Sequence, residues 1–254
     1  MKIKKIKKLS NGKYNIIFDN NEVVKLYDEV ILNNNILYKN DISNELFEKI
    51  ILENNNYEIY TKILKYINIK MRSEYEIKKY LDRFNIDRDE QVKIIENLKC
   101  KKFINDQLYI ESYISDKINL TNDGPYKIKK ELLKHELDED LIDKEFYKYD
   151  AIIYLNKIKK IVSNKQKNNK DSLYTFKRKM LSYLINLGYD KNMIMSILET
   201  VKVDNKKFIQ KDYDKLYNRL SKKYSDEKLE YEIIHRLYQK GYSSDDIEVI
   251  KKSD

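Results

Sequence analysis

The spacing of apolar residues along the chain changes character near residue 40. Before that point Tyr14, Ile16 and Phe18 alternate with polar residues, a period of two that predicts a strand. Asn11-Gly12 just ahead of them is a strong hairpin signal, because both residues tolerate positive φ. Asn20-Asn21 is a weaker one, followed by Val23, Val24 and Leu26. Residues 30–32 and 36–38 flank a third turn, Asn33-Asn34-Asn35, so residues 1–40 predict a small antiparallel sheet. Residues 41–53 read as a short helix with Leu46, Phe47, Ile50 and Ile51 inward. Asn54-Asn55-Asn56 then reads as its end and as a linker.

From residue 57 onward only helical periods are found. Ile59, Tyr60, Ile63, Leu64 and Ile67 form one stripe over 57–68, and Met71-Arg72 breaks it. Ser73 with Glu76 predicts a capping box, each side chain bonding an otherwise unpaired backbone N–H at a helix start. Ile77 and Leu81 follow one turn apart. Asn85-Ile86 ends that helix, and Val92, Ile95 and Leu98 line the next. The middle stretch, 105–146, repeats the plan. Leu108, Tyr109, Tyr113 and Ile114 give one stripe, and Gly124-Pro125 bends the chain into a second helix with Ile128, Leu132 and Leu133. Leu137 closes the turn, and Asp138 opens a third helix through Ile142 and Phe146.

A register runs through these groups. A large apolar residue lies four before a turn residue, which another apolar residue follows: Leu81-Asn85-Ile86, Leu132-Glu136-Leu137, Leu184-Gly188-Tyr189 and Leu237-Gly241-Tyr242. Ile142, Ile194 and Ile247 come five positions later, and Val92 six. The turn positions 85, 136, 188 and 241 lie 51, 52 and 53 residues apart, a period that signals a helical repeat. Asn and Gly suit a left-handed helix cap; Glu136 suits it poorly. The expected fold is mainly α: three-helix repeats over 57–103, 104–149, 150–202 and 203–254 behind a small β module over 1–56. Stacked units of this kind make an elongated, curved array suited to a large partner.

Composition agrees with helices joined by short polar loops. Of 254 residues only 4 are Gly and 1 is Pro, while 37% are charged. The excess of Lys, Asn, Ile and Tyr fits an AT-rich genome. The single Cys100 fits a reducing compartment, and as a partly buried helix thiol it has no histidine near it in sequence. The basic start, 1–8, leads into no apolar run, and no apolar stretch is long enough to span a membrane. A soluble, cytoplasmic monomer is the expectation. The four glycines sit at predicted turns rather than in a phosphate loop. His135 and His235 read as helix-end residues, and Asp138-Glu139-Asp140 as a helix start favoured by the dipole. No nucleophile, base and orienting group come together, so neither an enzyme nor a metal or other cofactor is expected.

Charge is the sharper signal. Over 157–179, Lys157, Lys159, Lys160, Lys165, Lys167, Lys170, Lys177, Arg178 and Lys179 face one acid, Asp171, a local +8 against +9 for the whole chain. The run includes a stretch, 163–169, without an apolar anchor, read as a polar loop. It is either a solvated loop or a contact to nucleic-acid phosphates or an acidic protein surface. Six phosphate contacts would give a log–log salt slope on the order of −4 to −5. Lys127, Lys129, Lys130 and Lys134 form a second patch, with Lys127, Lys130 and Lys134 at helical spacing; the preceding repeat offers Lys78, Lys79 and Arg83.

The sequence Asn105-Asp106-Gln107-Leu108-Tyr109-Ile110-Glu111-Ser112-Tyr113, followed by Gly124-Pro125-Tyr126-Lys127-Ile128 and Leu132, resembles the central motif of the RecX family. Arg72-Ser73-Glu74 with Ile77 and Leu81 resembles that family's first-repeat pattern. The likeness covers residues 57–150 well and the later repeats loosely; the strand-rich start resembles that of longer family members. Ile110 departs from the usual small residue and Glu136 from the usual glycine, departures of packing and capping. The resemblance implies a non-catalytic regulator in recombination, DNA repair and the SOS response. It would bind the groove of the RecA filament on single-stranded DNA and restrain ATP hydrolysis and strand exchange. On that reading Lys78, Lys79, Arg83, Lys127, Lys130 and Lys134 face RecA. The alternative is a basic helical-repeat protein that binds nucleic acid without RecA. Tyr109 and Tyr113 are four apart in the matched motif and read as core rather than as base-stacking residues.

Overall fold

The computed structural model describes residues 1–9 and 12–251. These residues form a three-stranded antiparallel sheet and thirteen helices in two compact units, Met1–Tyr109 and Ile110–Asp254.

In the first unit, strands β1 (Ile3–Lys8), β2 (Lys13–Phe18) and β3 (Val23–Tyr27) pair in the order β1-β2-β3. Gly12 sits at φ 71, as the hairpin reading requires; Asn11 lies outside the described residues. Residues 28–38 are not strand as expected. They form α1 (Asp28–Asn33) and a 3-10 turn, Ile36–Tyr38. Three apolar residues in a row satisfy either period. Asp28 and Glu29 in the first turn favour a helix through its dipole, and the Asn33 and Asn34 amides fasten its end to Glu53 at 3.1 and 2.7 Å. The core beneath the sheet comprises Ile16, Phe18, Leu26, Val30, Ile31, Ile36, Ile42 and Ile50.

The asparagine linker is also corrected. α2 is one helix, Asn44–Ile69, capped by Ser43, and the boundary expected at 56/57 falls inside it. Its second half joins α3 (Glu74–Leu81) and α4 (Arg88–Cys100) around Ile59, Ile63, Ile77, Leu81, Ile94, Ile95 and Leu98. The Ser73–Glu76 capping box forms as read. Val92 is 52% exposed rather than inward. Asp87 caps α4, so the inward position four residues on belongs to half-buried Gln91. Cys100 is exposed, not partly buried.

α5 (Asp106–Leu120) buries Tyr109, Ile110, Ile114 and Ile118, while Leu108 stays half exposed. The second unit continues with α6 (Pro125–Leu133), α7 (Glu139–Phe146), α8 (Ala151–Lys167), α9 (Leu173–Asn186), α10 (Lys191–Glu199), α11 (Lys206–Leu220), α12 (Asp226–Gln239) and α13 (Ser244–Lys251). Glu136, Gly188 and Gly241 all take the left-handed cap, at φ 54, 86 and 80. Asn85 does not. α3 instead closes through 3-10 bonds such as Phe84 N–H to Leu81 O, 2.9 Å, and the left-handed residue of that group is Lys102.

These caps also join neighbouring groups of helices. Gly124 N–H donates to Leu187 O at 2.6 Å, and Tyr126 N–H to Gly188 O at 3.0 Å. Thr175 Oγ1 donates to Lys240 O at 3.0 Å, and Ser172 Oγ bonds the same carbonyl. The first turns of α6 and α9 thus satisfy the carbonyls that the ends of α9 and α12 leave unpaired. A Cβ on Gly188 would lie 2.4 Å from Lys127 N, and one on Gly241 2.3 Å from Tyr174 Cβ. Glycine is required there by approach as well as by φ.

Candidate partner-binding surfaces

The second helix of each group buries one apolar pair four residues apart, Ile77 and Leu81 in α3, Ile128 and Leu132 in α6. Helical winding then puts Lys79 on the far side of α3, and Lys130 and Lys134 on the far side of α6. All three are exposed, as is Arg83 just past α3. Arg83 lies 5.5 Å from the Tyr80 ring centre, and Lys79 4.5 Å from that of Tyr75. Lys130 and Lys134 take part in no ion pair among the described residues.

The other members of these patches are engaged within the fold. Lys78 pairs with Glu74 at 2.9 Å, and Lys99 pairs with the same carboxylate. Lys127 pairs with Asp123 at 2.6 Å, and Lys129 with Glu139 and Asp143 at 2.8 and 2.6 Å. Asp123 belongs to a network that sequence patterning did not reveal. Lys117 bridges Asp123 at 3.3 Å and Glu131 at 2.7 Å, and Tyr113 O–H donates to Glu131 at 2.6 Å. Burial, then the bond to Glu131, pushes the Tyr113 hydroxyl up to about 12. Tyr109 is in the core as expected, whereas Tyr113 is half-buried with its hydroxyl bonded to Glu131.

The basic run does not form one surface. α8 continues to Lys167, so most of the expected polar loop at 163–169 is helix, and Asn169 and Asp171 bond each other across the short turn that follows. Winding separates neighbours such as Lys177, Arg178 and Lys179, because consecutive helical residues point about 100° apart. Lys157 is half-buried and donates to Thr121 O at 2.8 Å; burial lowers its pKa. Lys165, Lys170 and Lys179 do converge, around a groove of about 460 Å³ that Phe176, Met180 and Tyr183 also line. Lys165 stands 5.2 Å from the Tyr183 ring centre, and Lys179 pairs with Asp171 at 2.6 Å. Lys159 lines a separate groove with Gln166 and Val201, while Lys160 and Lys167, seven residues apart, share an outer side of α8. Lys177 is half-buried and Arg178 is exposed 6.0 Å from the Tyr174 ring centre.

His235 lies in α12, 2.9 Å from the Gln239 amide, and His135 in the turn after α6. Among the described residues no three His, Cys, Asp or Glu side chains could hold a metal together, and no helix is long and apolar enough to cross a membrane.

Residues 105–144 match the family model described as RecX, second three-helix domain. The chain is 34% identical over 191 residues to a regulatory protein RecX of Streptococcus agalactiae, covering 72% of this chain and 73% of that protein. It is 28% identical over 195 residues to one of Oceanobacillus iheyensis, covering 74% and 72%. Among solved structures, a crystal structure of regulatory protein RecX superposes with a TM-score of 0.66 at 21% identity, over 78% of this chain and 98% of that one. RecX from Lactobacillus salivarius does so with 0.53 at 24%, over 57% and 94%. At these identities the two structures speak for the fold.

Proposed function

Since the chain belongs to the RecX family of regulatory proteins, we propose that it binds the RecA filament on single-stranded DNA and restrains its ATP hydrolysis and strand exchange, without catalysis of its own. The observation that carries this reading is the family membership together with the exposed cations on two second helices. Lys130 and Lys134 stand exposed on the side of α6 away from the core and in no ion pair among the described residues, and Lys79 and Arg83 are exposed beside the Tyr75 and Tyr80 rings. Exposed cations at such positions favour an acidic or phosphate-bearing partner over self-packing.

The test is single-stranded-DNA-dependent ATP hydrolysis by the cognate RecA, titrated with the protein at fixed salt. Inhibition is expected. Inhibition far below stoichiometry would mean capping of filament ends, and inhibition only near saturation would mean coating of the groove. The variant to compare is K130E/K134E, with Lys127 left alone because a carboxylate there would face Asp123. Its inhibition is expected to weaken with helicity unchanged; full inhibition would remove α6 from the RecA-facing surface. Salt-sensitive binding to bare nucleic acid with no effect on RecA would favour the second reading, which the lysine-lined groove between α8 and α9 supports.

A further inference from the structure

The outward faces of α6, α9 and α12 carry apolar stripes that the packing of these helices does not use. Counted back from the left-handed residues Glu136, Gly188 and Gly241, the positions eight and four residues earlier are buried: Ile128 and Leu132, Met180 and Leu184, Ile233 and Leu237. The positions ten, six and three residues earlier point the other way. At about 100° per residue they fall within roughly 60° of one another. In α6 they are Tyr126, Lys130 and Leu133. In α9 they are Arg178, Ser182 and Ile185, and in α12 Tyr231, His235 and Tyr238. All are exposed and none is a carboxylate; the large apolar side chains among them are between 39% and 67% exposed.

The three stripes are joined end to end. Tyr126 N–H donates to Gly188 O at 3.0 Å, so the end of α9, a turn past Ile185, lies against the first turn of α6. Thr175 Oγ1 donates to Lys240 O at 3.0 Å and Tyr174 lies against Gly241, so the end of α12, a turn past Tyr238, lies against the first turn of α9. Single exposed apolar residues are ordinary on a soluble protein, whereas a contiguous row marks a contact surface. Part of this row is already ordered. The Tyr231 and His235 rings are nearly parallel, 7° apart with centres 6.2 Å from each other, so little rotamer freedom is left to lose on binding.

The chemistry of the row selects its occupant. Lys130 and Arg178 are its permanent charges, and each stripe is about 10 Å long, whereas a nucleic-acid strand carries a charge about every 3.4 Å. Leu133 and Ile185 offer no flat ring for a base to stack on, but they fit apolar pockets. The position ten before the cap holds Tyr, Arg and Tyr, residue types that anchor protein interfaces. Two cations with no carboxylate among them set the sign of the partner. We propose that the outward row of α6, α9 and α12 docks on an acidic protein surface that carries apolar pockets. The inference rests on the RecA reading, and it makes the protein of the filament, rather than its DNA, what these three helices meet.

The experiment is co-sedimentation of the full chain with preformed filaments of RecA on single-stranded DNA across a salt series, with anisotropy of a bare labelled oligodeoxythymidylate alongside. L133A/I185A/Y238A is expected to bind the filament at least about tenfold more weakly, since buried anchors carry most of an interface's affinity. Its salt dependence should be unchanged, because no charge is removed. Arg178→Glu, a single exposed change, is expected to weaken binding several-fold and to reduce its salt dependence. Unaltered far-ultraviolet circular dichroism checks the fold of both. Full filament affinity in the triple variant would overturn the proposal while the RecA reading stood. A parent protein that neither sediments with the filament nor inhibits RecA would remove that reading and the proposal with it. Equal loss of affinity for the bare oligonucleotide would overturn the proposal in favour of a nucleic-acid surface.

Discussion

At the scale of single residues, Glu136 shows a sequence rule giving way to its surroundings. Its φ of 54 costs an L-residue about 1 kcal/mol that glycine does not incur. It is exposed, and the turn continues into buried Leu137 and the Asp138 cap of α7. Glu136→Gly should therefore stabilise the protein by about 1 kcal/mol, a rise of about 2–4 °C in midpoint by calorimetry. Asp123 supplies a pH prediction. Burial pushes its carboxyl up, but hydrogen bonds from Lys127 and Lys117 outweigh this and hold it below the ordinary carboxylate range. Such a group stabilises the fold above its unfolded pKa, and the contribution is lost as pH falls through the lower folded value. Asp123→Asn should lower the urea midpoint at neutral pH, and the gap to the parent protein should close in acid below the carboxylate range. A gap independent of pH would mean that Asp123 acts by shape alone.

At the scale of elements, α3 and α7 were legible because cap and apolar period agreed, and the later helices showed only their apolar register. Ser73, Asp87, Asp138, Asp150, Ser172 and Asp190 each open a helix by accepting backbone N–H bonds. The misread elements are those where propensity and contact disagree. Three asparagines at 54–56 read as a break, yet Asn54 is held in α2 by its bonds to Lys25 and Tyr27 of β3. Asn54→Ala leaves one N–H and one C=O at that edge without the amide, at a cost of about 1–2 kcal/mol. Hydrogen exchange of the Tyr27 amide should accelerate while that of α9 stays unchanged. α8 outran its expected end in the same way, since Gln166 donates to Lys202 O at 2.7 Å and draws a polar final turn into the fold.

At the scale of the whole molecule, membership of the RecX family was reached from a few motif residues, and the comparison with relatives bears it out. The basic run is different, since its net charge is readable but its geometry is not. Lys165 and Lys170 converge with Lys179 on one groove, whereas Lys157 turns inward to Thr121. If that groove meets nucleic acid, K165A/K170A should flatten the salt slope of binding by about 1.5, two lost contacts. An unchanged slope would assign the run to solvation.

What the sequence determined by itself is what depends on neighbours three or four residues away: helix starts, the two-residue period of β2, the apolar pairs of the second helices and the family. The tertiary structure alone decided which cations remain available, because an ion pair such as Lys129 with Asp143 joins separate helices. It also decided the conformations at 28–38 and 54–56, where bonds from Glu53 and to β3 outweigh local preferences of about a kcal/mol.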